Sequence, residues 1–123
     1  AFLQFADALL TVLGSKDVLT ETEIFLLRSS VRSITPISRS KYYTEEVRKR
    51  LLELLDKDLK DYTLGDTEEM ENIAELIWKE GYETKRKDLM DYSWKLRYLA
   101  MMIRAVCIYP KLYKQHLKDA PQK

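Results

Sequence analysis

KRKDLMDYSWKLRYLAMMIRAVCI, residues 85–108, decides the fold. Within it Leu89, Ser93, Leu96, Ala100, Ile103 and Cys107 recur at alternating steps of four and three, the spacing that lines side chains along one face of a helix. Leu99, Met102 and Val106 fill the flanking rows, and Met101 and Ile108 reach the far side. A helix that is apolar nearly all round is one that others pack about, so the stretch predicts a long central helix. Pro110 then stops it or opens a short last helix, since proline is welcome at a first helical position.

Working outward, the neighbouring segments also read as helices. Asp66 with Glu69 has capping-box spacing, and Met70, Ile73, Ala74, Ile77 and Trp78 give an amphipathic face that Gly81 ends. Before it, a helix starts near Thr44, with Glu45 and Glu46 in the first turn, where the helix dipole favours acids. Its stripe of Val47, Leu51, Leu54, Leu55, Leu59 and Tyr62 carries it to about Asp61, and Gly65 closes it. Thr20 and Glu23 form a capping box for a helix bearing Ile24, Leu27, Val31 and Ile34 and closed by Pro36. Residues 2–13 read as a first helix ended by Gly14.

With three glycines and three prolines among 123 residues, nearly all at these breaks, and no convincing strand, the expectation is all-α. It takes the form of a compact bundle of five to six helices with a long central C-terminal helix, one domain over residues 1–118 and a frayed tail over 119–123.

Composition excludes more than it selects. Twenty-one basic against twenty acidic residues leave a net charge of +1, unlike a dedicated nucleic-acid sink. The single cysteine, Cys107, forms no internal disulfide and reads as a small buried hydrophobe; the expected location is intracellular, cytoplasmic or nuclear. The longest apolar stretch, residues 1–13, is interrupted by Gln4 and Asp7 and is too short to span a bilayer, so no membrane role is expected.

No catalytic, cofactor or metal site is expected either. His116 is the only histidine and lies in a polar segment; the chain has no Glu-x-x-His pair, and its glycines are isolated from one another. Acids placed four residues before bases, such as Glu45 with Lys49 and Glu75 with Lys79, read as solvated helix faces.

Two charge features remain. Residues 66–80 carry six acids against Lys79, whereas residues 85–118 are rich in Lys and Arg; packed helices of opposite charge would account for that contrast. Arg97 and Arg104, seven residues apart on an otherwise apolar helix, require either acids from neighbouring helices or an exposed edge. An exposed edge bearing Arg97, Met101, Arg104 and Ile108 has the composition of a protein interface. The leading expectation is therefore a non-catalytic helical domain, an adaptor or regulatory module, whose partner is another protein. The alternative is an RNA- or DNA-binding helical domain. It would use the basic connector of residues 28–41, through Arg28, Arg32, Arg39 and Lys41, and the C-terminal residues Lys111, Tyr113 and Lys114. Serines among the connector arginines are also candidates for phosphorylation.

Overall fold

The computed structural model describes residues 20–38 and 40–119, with side chains up to His116. The described elements are α1 (Glu21–Ser33), α2 (Glu45–Leu55), a 3-10 turn (Leu59–Asp61), α3 (Leu64–Thr84), α4 (Lys87–Ile103), a π turn (Arg104–Ile108) and α5 (Tyr109–Asp119). No strand occurs among the described residues, so the protein is all-helical as the sequence predicts. Because α4, the π turn and α5 follow one another without a break, the described chain forms four helical rods rather than five or six. The helix expected over residues 2–13 lies outside the described residues, as do Arg39 and the last four residues of the expected tail.

Local chemistry explains where the helices begin. The Thr20 hydroxyl accepts a hydrogen bond from the Glu23 amide at 3.2 Å, and the Glu23 carboxylate accepts one from the Thr20 amide at 3.3 Å, completing the predicted capping box. Thr44 caps α2 by accepting from the Val47 amide at 3.3 Å. α3 begins earlier than expected because Thr63, not Asp66, is its cap. The Thr63 hydroxyl accepts from the Asp66 amide at 3.1 Å and Asp66 returns the bond to the Thr63 amide at 3.0 Å, leaving Gly65 inside the first turn.

The ends differ from expectation for physical reasons. α2 stops at Leu55 rather than near Asp61, and the Tyr62 hydroxyl donates to the freed Leu54 carbonyl. Gly81 lies within α3 instead of ending it. A methyl group there would come within 3.0 Å of the Arg86 carbonyl oxygen, Leu89 Cβ and Met90 Cγ, so glycine allows the close approach of α4. Lys85 ends α3 in the left-handed region (φ 57°), and the Arg86 amide donates to the Gly81 carbonyl at 2.8 Å. This two-residue connection makes α3 and α4 an antiparallel hairpin.

Pro110 does not stop the chain's helical course; it stands in the first turn of the short last helix α5, which continues the rod directly from the π turn. In the preceding π turn the Tyr109 amide reaches back to the Arg104 carbonyl, an i→i+5 bond. The wider turn moves aside the carbonyl that a proline ring would strike in a regular helix, and the rod continues to Asp119.

The core joins Ile24 and Val31 of α1, Leu51, Leu54 and Leu55 of α2, Met70, Ile73, Ala74 and Ile77 of α3, and Leu89, Leu96, Leu99, Ala100 and Ile103 of α4. Cys107 is buried among them and its thiol is free, as expected. The α4 rows predicted to be internal are internal, but the helix is not enclosed on all sides. α1 and α3 cover two flanks, while Trp94, Tyr98 and Met101 stay exposed on a third. Two tyrosines fasten the connector after α1. Tyr43 donates to the Pro36 carbonyl at 2.9 Å, and Tyr92 donates to the Val31 carbonyl at 3.1 Å.

Candidate functional site

The α3–α4 hairpin presents the four expected docking residues in two different ways. Arg104 opens the π turn and faces α3. Its Nε donates to Thr67 Oγ1 at 2.8 Å, and its terminal nitrogen pairs with Glu71 Oε1 at 2.5 Å. Only 13% of its side chain is exposed, so it is an internal ion-pair residue, the first of the two options its sequence position left open. Ile108 is buried. A regular helix would set it beside Met101; the extra residue in the π turn rotates it backward into the core. Neither Arg104 nor Ile108 belongs to an exposed edge.

Met101 does, and Arg97 is half-buried beside it. Met101 is exposed, and the Arg97 guanidinium lies 5.4 Å from the centroid of the Trp94 ring. Arg97 Nε is enclosed without a hydrogen-bond acceptor, and no acid pairs with Arg97 among the described residues. Trp94, at helical spacing from both Arg97 and Met101, is 60% exposed. Across the seam, Trp78 and Tyr82 of α3 stack with centroids 5.1 Å apart and planes inclined by 16°, and Tyr82 is 66% exposed. Arg104 meets Glu71, and Gly81 abuts Met90, so the antiparallel register sets Trp78 level with Arg97 and Tyr82 one turn further on. The result is a surface of tryptophan, tyrosine, methionine and arginine on one side of the hairpin.

Trp94 and Tyr82 were not singled out by the sequence pattern. The signal was present, because Met90, Trp94, Arg97 and Met101 recur at steps of four and three in a row about 100° round the helix from the core row.

The residues named for nucleic-acid contact do not form one patch. Arg28 donates to the Lys57 carbonyl and stacks over Phe25 at 5.3 Å; Arg32 grips Asp56 through Nε at 2.5 Å and its terminal nitrogen at 3.2 Å. That pairing holds the Asp56 carboxyl below its ordinary range. Lys41 sits 5.1 Å from the Tyr42 ring centroid, and Lys111 donates to the Lys60 carbonyl at 2.6 Å. Tyr113 and Lys114 are exposed on α5. Two connector serines build the turn: Ser38 donates to the Tyr43 carbonyl at 2.5 Å, and Ser40 accepts from the Tyr43 amide at 3.0 Å.

The acids of α3 are paired mostly toward α2 rather than α4. Lys57 meets Asp66 at 2.5 Å and Arg50 meets Glu69 at 2.5 Å, while the Glu71–Arg104 pair ties α3 to the π turn. Burial acts to raise the Asp66 pKa, but Lys57 and the Thr63 amide outweigh it and hold the carboxyl below its ordinary value. Burial pushes Tyr92 up to about 12 and raises the Cys107 thiol as well.

An open groove of about 370 Å³ between the connector and the start of α4 is lined by Ile34, Pro36, Leu89 and Tyr92, with Asp88, Asp91 and Lys95. It places no nucleophile beside a base. Among the described residues no group of His, Cys, Asp and Glu is arranged to hold a metal ion, and no helix is long and apolar enough to cross a membrane. Compared with known proteins, the chain matches no family model, no curated protein and no solved structure.

Proposed function

We propose that this protein is a non-catalytic, intracellular interaction module, an adaptor or regulatory domain that binds another protein through the Trp94 face of the α3–α4 hairpin. The observation that carries the reading is an exposed tryptophan beside an arginine that no acid pairs with among the described residues. Trp94 sits with Arg97, Tyr98 and Met101, and Tyr82 stands across the seam. Tryptophan, tyrosine, arginine and methionine are the residue types enriched where proteins dock, and large aromatic and arginine side chains carry most of the binding energy there. Scattered exposed apolar residues need no explanation; this set lies together on one rigid pair of helices.

Chemistry also suggests what the partner brings. Arg97 supports a carboxylate in an apolar setting, because an acid placed there gains a charge-assisted hydrogen bond beside an indole that excludes water. The test is a photo-crosslinking residue, p-benzoylphenylalanine, placed at Tyr98 in the full chain expressed in cells, with the same group at the exposed Lys49 as control. The reading expects one dominant protein adduct from position 98 that is absent from position 49 and is lost on Trp94→Ala. Equal adduct patterns from both positions would reject it, and an adduct made mainly to RNA would favour nucleic-acid binding instead.

A further inference from the structure

The π turn decides which residues of α5 extend the Trp94 face. Five turns of a regular helix take about 18 residues, which would set Leu112 in line with Trp94. The turn holds one extra residue, the same one that carries Ile108 into the core. The residue in line with Trp94 is therefore Tyr113, and the one in line with Lys95 is Lys114. Tyr113 is 61% exposed, and both lysines are exposed as well. Tyr109 and Pro110, half-buried, occupy the interval after Met101. Trp94, Tyr98, Met101 and Tyr113 thus lie along one side of the last rod, over about 27 Å.

The charge along this stripe is of one sign. Residues 92–118 carry six lysines and arginines and no acid. Arg104 is held by Glu71, and Lys111 donates to the Lys60 carbonyl. No acid pairs with Lys95, Arg97 or Lys114 among the described residues. The α3 acids of the same stretch, Glu71 and Glu75, are already paired with Arg104 and Lys79. The stripe therefore calls for acids from outside.

Its shape calls for a helix. An α-helix of about 18 residues measures about 27 Å, and two helices that cross at about 20° stay in contact along their length. Apolar residues at steps of three and four on such a helix would meet Trp94, Tyr98, Met101 and Tyr113. Acids beside that row would reach Arg97 on one flank and Lys95 and Lys114 on the other, each gaining a charge-assisted bond. Single-stranded nucleic acid fits the stripe less well. Between Tyr98 and Tyr113, about 21 Å apart, no exposed aromatic ring on this side of the rod offers a base a platform.

We propose that the partner docked at Trp94 presents an acidic amphipathic helix that lies along the α4–α5 rod from Trp94 to Tyr113, an inference that rests on the docking face at Trp94 and adds the form and charge of what docks there.

Cross-link mapping in the full chain tests it. p-Benzoylphenylalanine is placed at Tyr98 and, separately, at Tyr113, and the adducted residues of the captured protein are located by mass spectrometry. Without the extra residue of the π turn, about 14 regular residues, or four turns, divide the two positions. The expected result is one protein from both positions, cross-linked at residues about 14 apart within a single segment rich in Asp and Glu. Lys95→Glu with Lys114→Glu should cut both adducts at least fivefold, whereas Lys95→Arg with Lys114→Arg should preserve them. An adduct from position 98 with none from 113, adducts outside one such segment, or no loss on charge reversal would overturn the proposal and leave the Trp94 face in place. No protein adduct from position 98 would reject both, as would RNA as the main adduct.

Discussion

The Arg97 guanidinium lies 5.4 Å from the centre of the Trp94 ring, with its Nε enclosed and without an acceptor. Seven residues later Arg104, on the same rod, is held by Glu71 at 2.5 Å and Thr67 at 2.8 Å. Two arginines that look alike in the sequence therefore have different tasks. One ties α3 to the π turn, and the other lies half-buried against Trp94 with no acid on it.

This division sets the first prediction. Arg104→Ala leaves Glu71 without its partner and Thr67 with only its bond to the Leu64 carbonyl, and should cost about 1–3 kcal/mol in urea unfolding. Arg97→Ala should cost less than about 1 kcal/mol, because it removes a surface contact with an aromatic ring. A reversal of that order would assign the arginines the wrong way round.

Gly81 gives the second. Alanine is the better helix former by about 1 kcal/mol, yet a methyl group at this position meets the Arg86 carbonyl oxygen, Leu89 and Met90 at 3.0 Å each. The backbone carbonyl cannot give way cheaply, so Gly81→Ala should lower stability by about 1–3 kcal/mol. At Lys85, where φ is 57°, the reverse holds: Lys85→Gly should raise the thermal midpoint, because glycine takes the left-handed conformation without a steric penalty.

The third concerns pH. Asp66 is held below its ordinary value of 3.8 by Lys57 and the Thr63 amide, against the effect of burial. A carboxyl depressed in the folded state contributes stability that is complete above its unfolded pKa and is lost as pH falls through the folded one. Urea midpoints should therefore fall from neutral pH toward about pH 3, and Asp66→Asn should flatten the fall. A decline of the same steepness in Asp66→Asn would place its cause elsewhere.

The fourth separates the two functional classes. Arg28, Arg32 and Lys111 are engaged with the protein itself, through the Lys57 carbonyl, Asp56 and the Lys60 carbonyl. Single-stranded RNA should bind weakly and only at low salt. A submicromolar affinity at physiological salt, falling steeply as salt rises and lost on Lys111→Glu with Lys114→Glu, would transfer the function to nucleic acid.

The parts of this fold that were legible in sequence are those governed by local chemistry. The Thr20–Glu23 capping box, the Thr44 cap and the core row of Leu96, Ala100 and Ile103 follow from spacing alone. What was not legible depends on tertiary contact. Gly81 resembles a helix end until Leu89 and Met90 are seen against it, and Pro110 resembles a stop until the π turn accommodates it. That same turn carries Ile108 into the core, which no count along a regular helix shows. Trp94 was hidden for a related reason: a helix apolar nearly all round reads as enclosed, and only the arrangement of α1 and α3 shows which side stays open.

The central claim is that Trp94 and Arg97 form the docking face. Calorimetric titration of the partner recovered by crosslinking from position 98 tests it most directly, comparing the native chain with Trp94→Ala and Arg97→Ala. Each substitution should weaken the complex at least tenfold, about 1.4 kcal/mol, while the thermal midpoint moves by no more than a few degrees. An unchanged affinity in both variants, in chains that remain folded, would contradict the account.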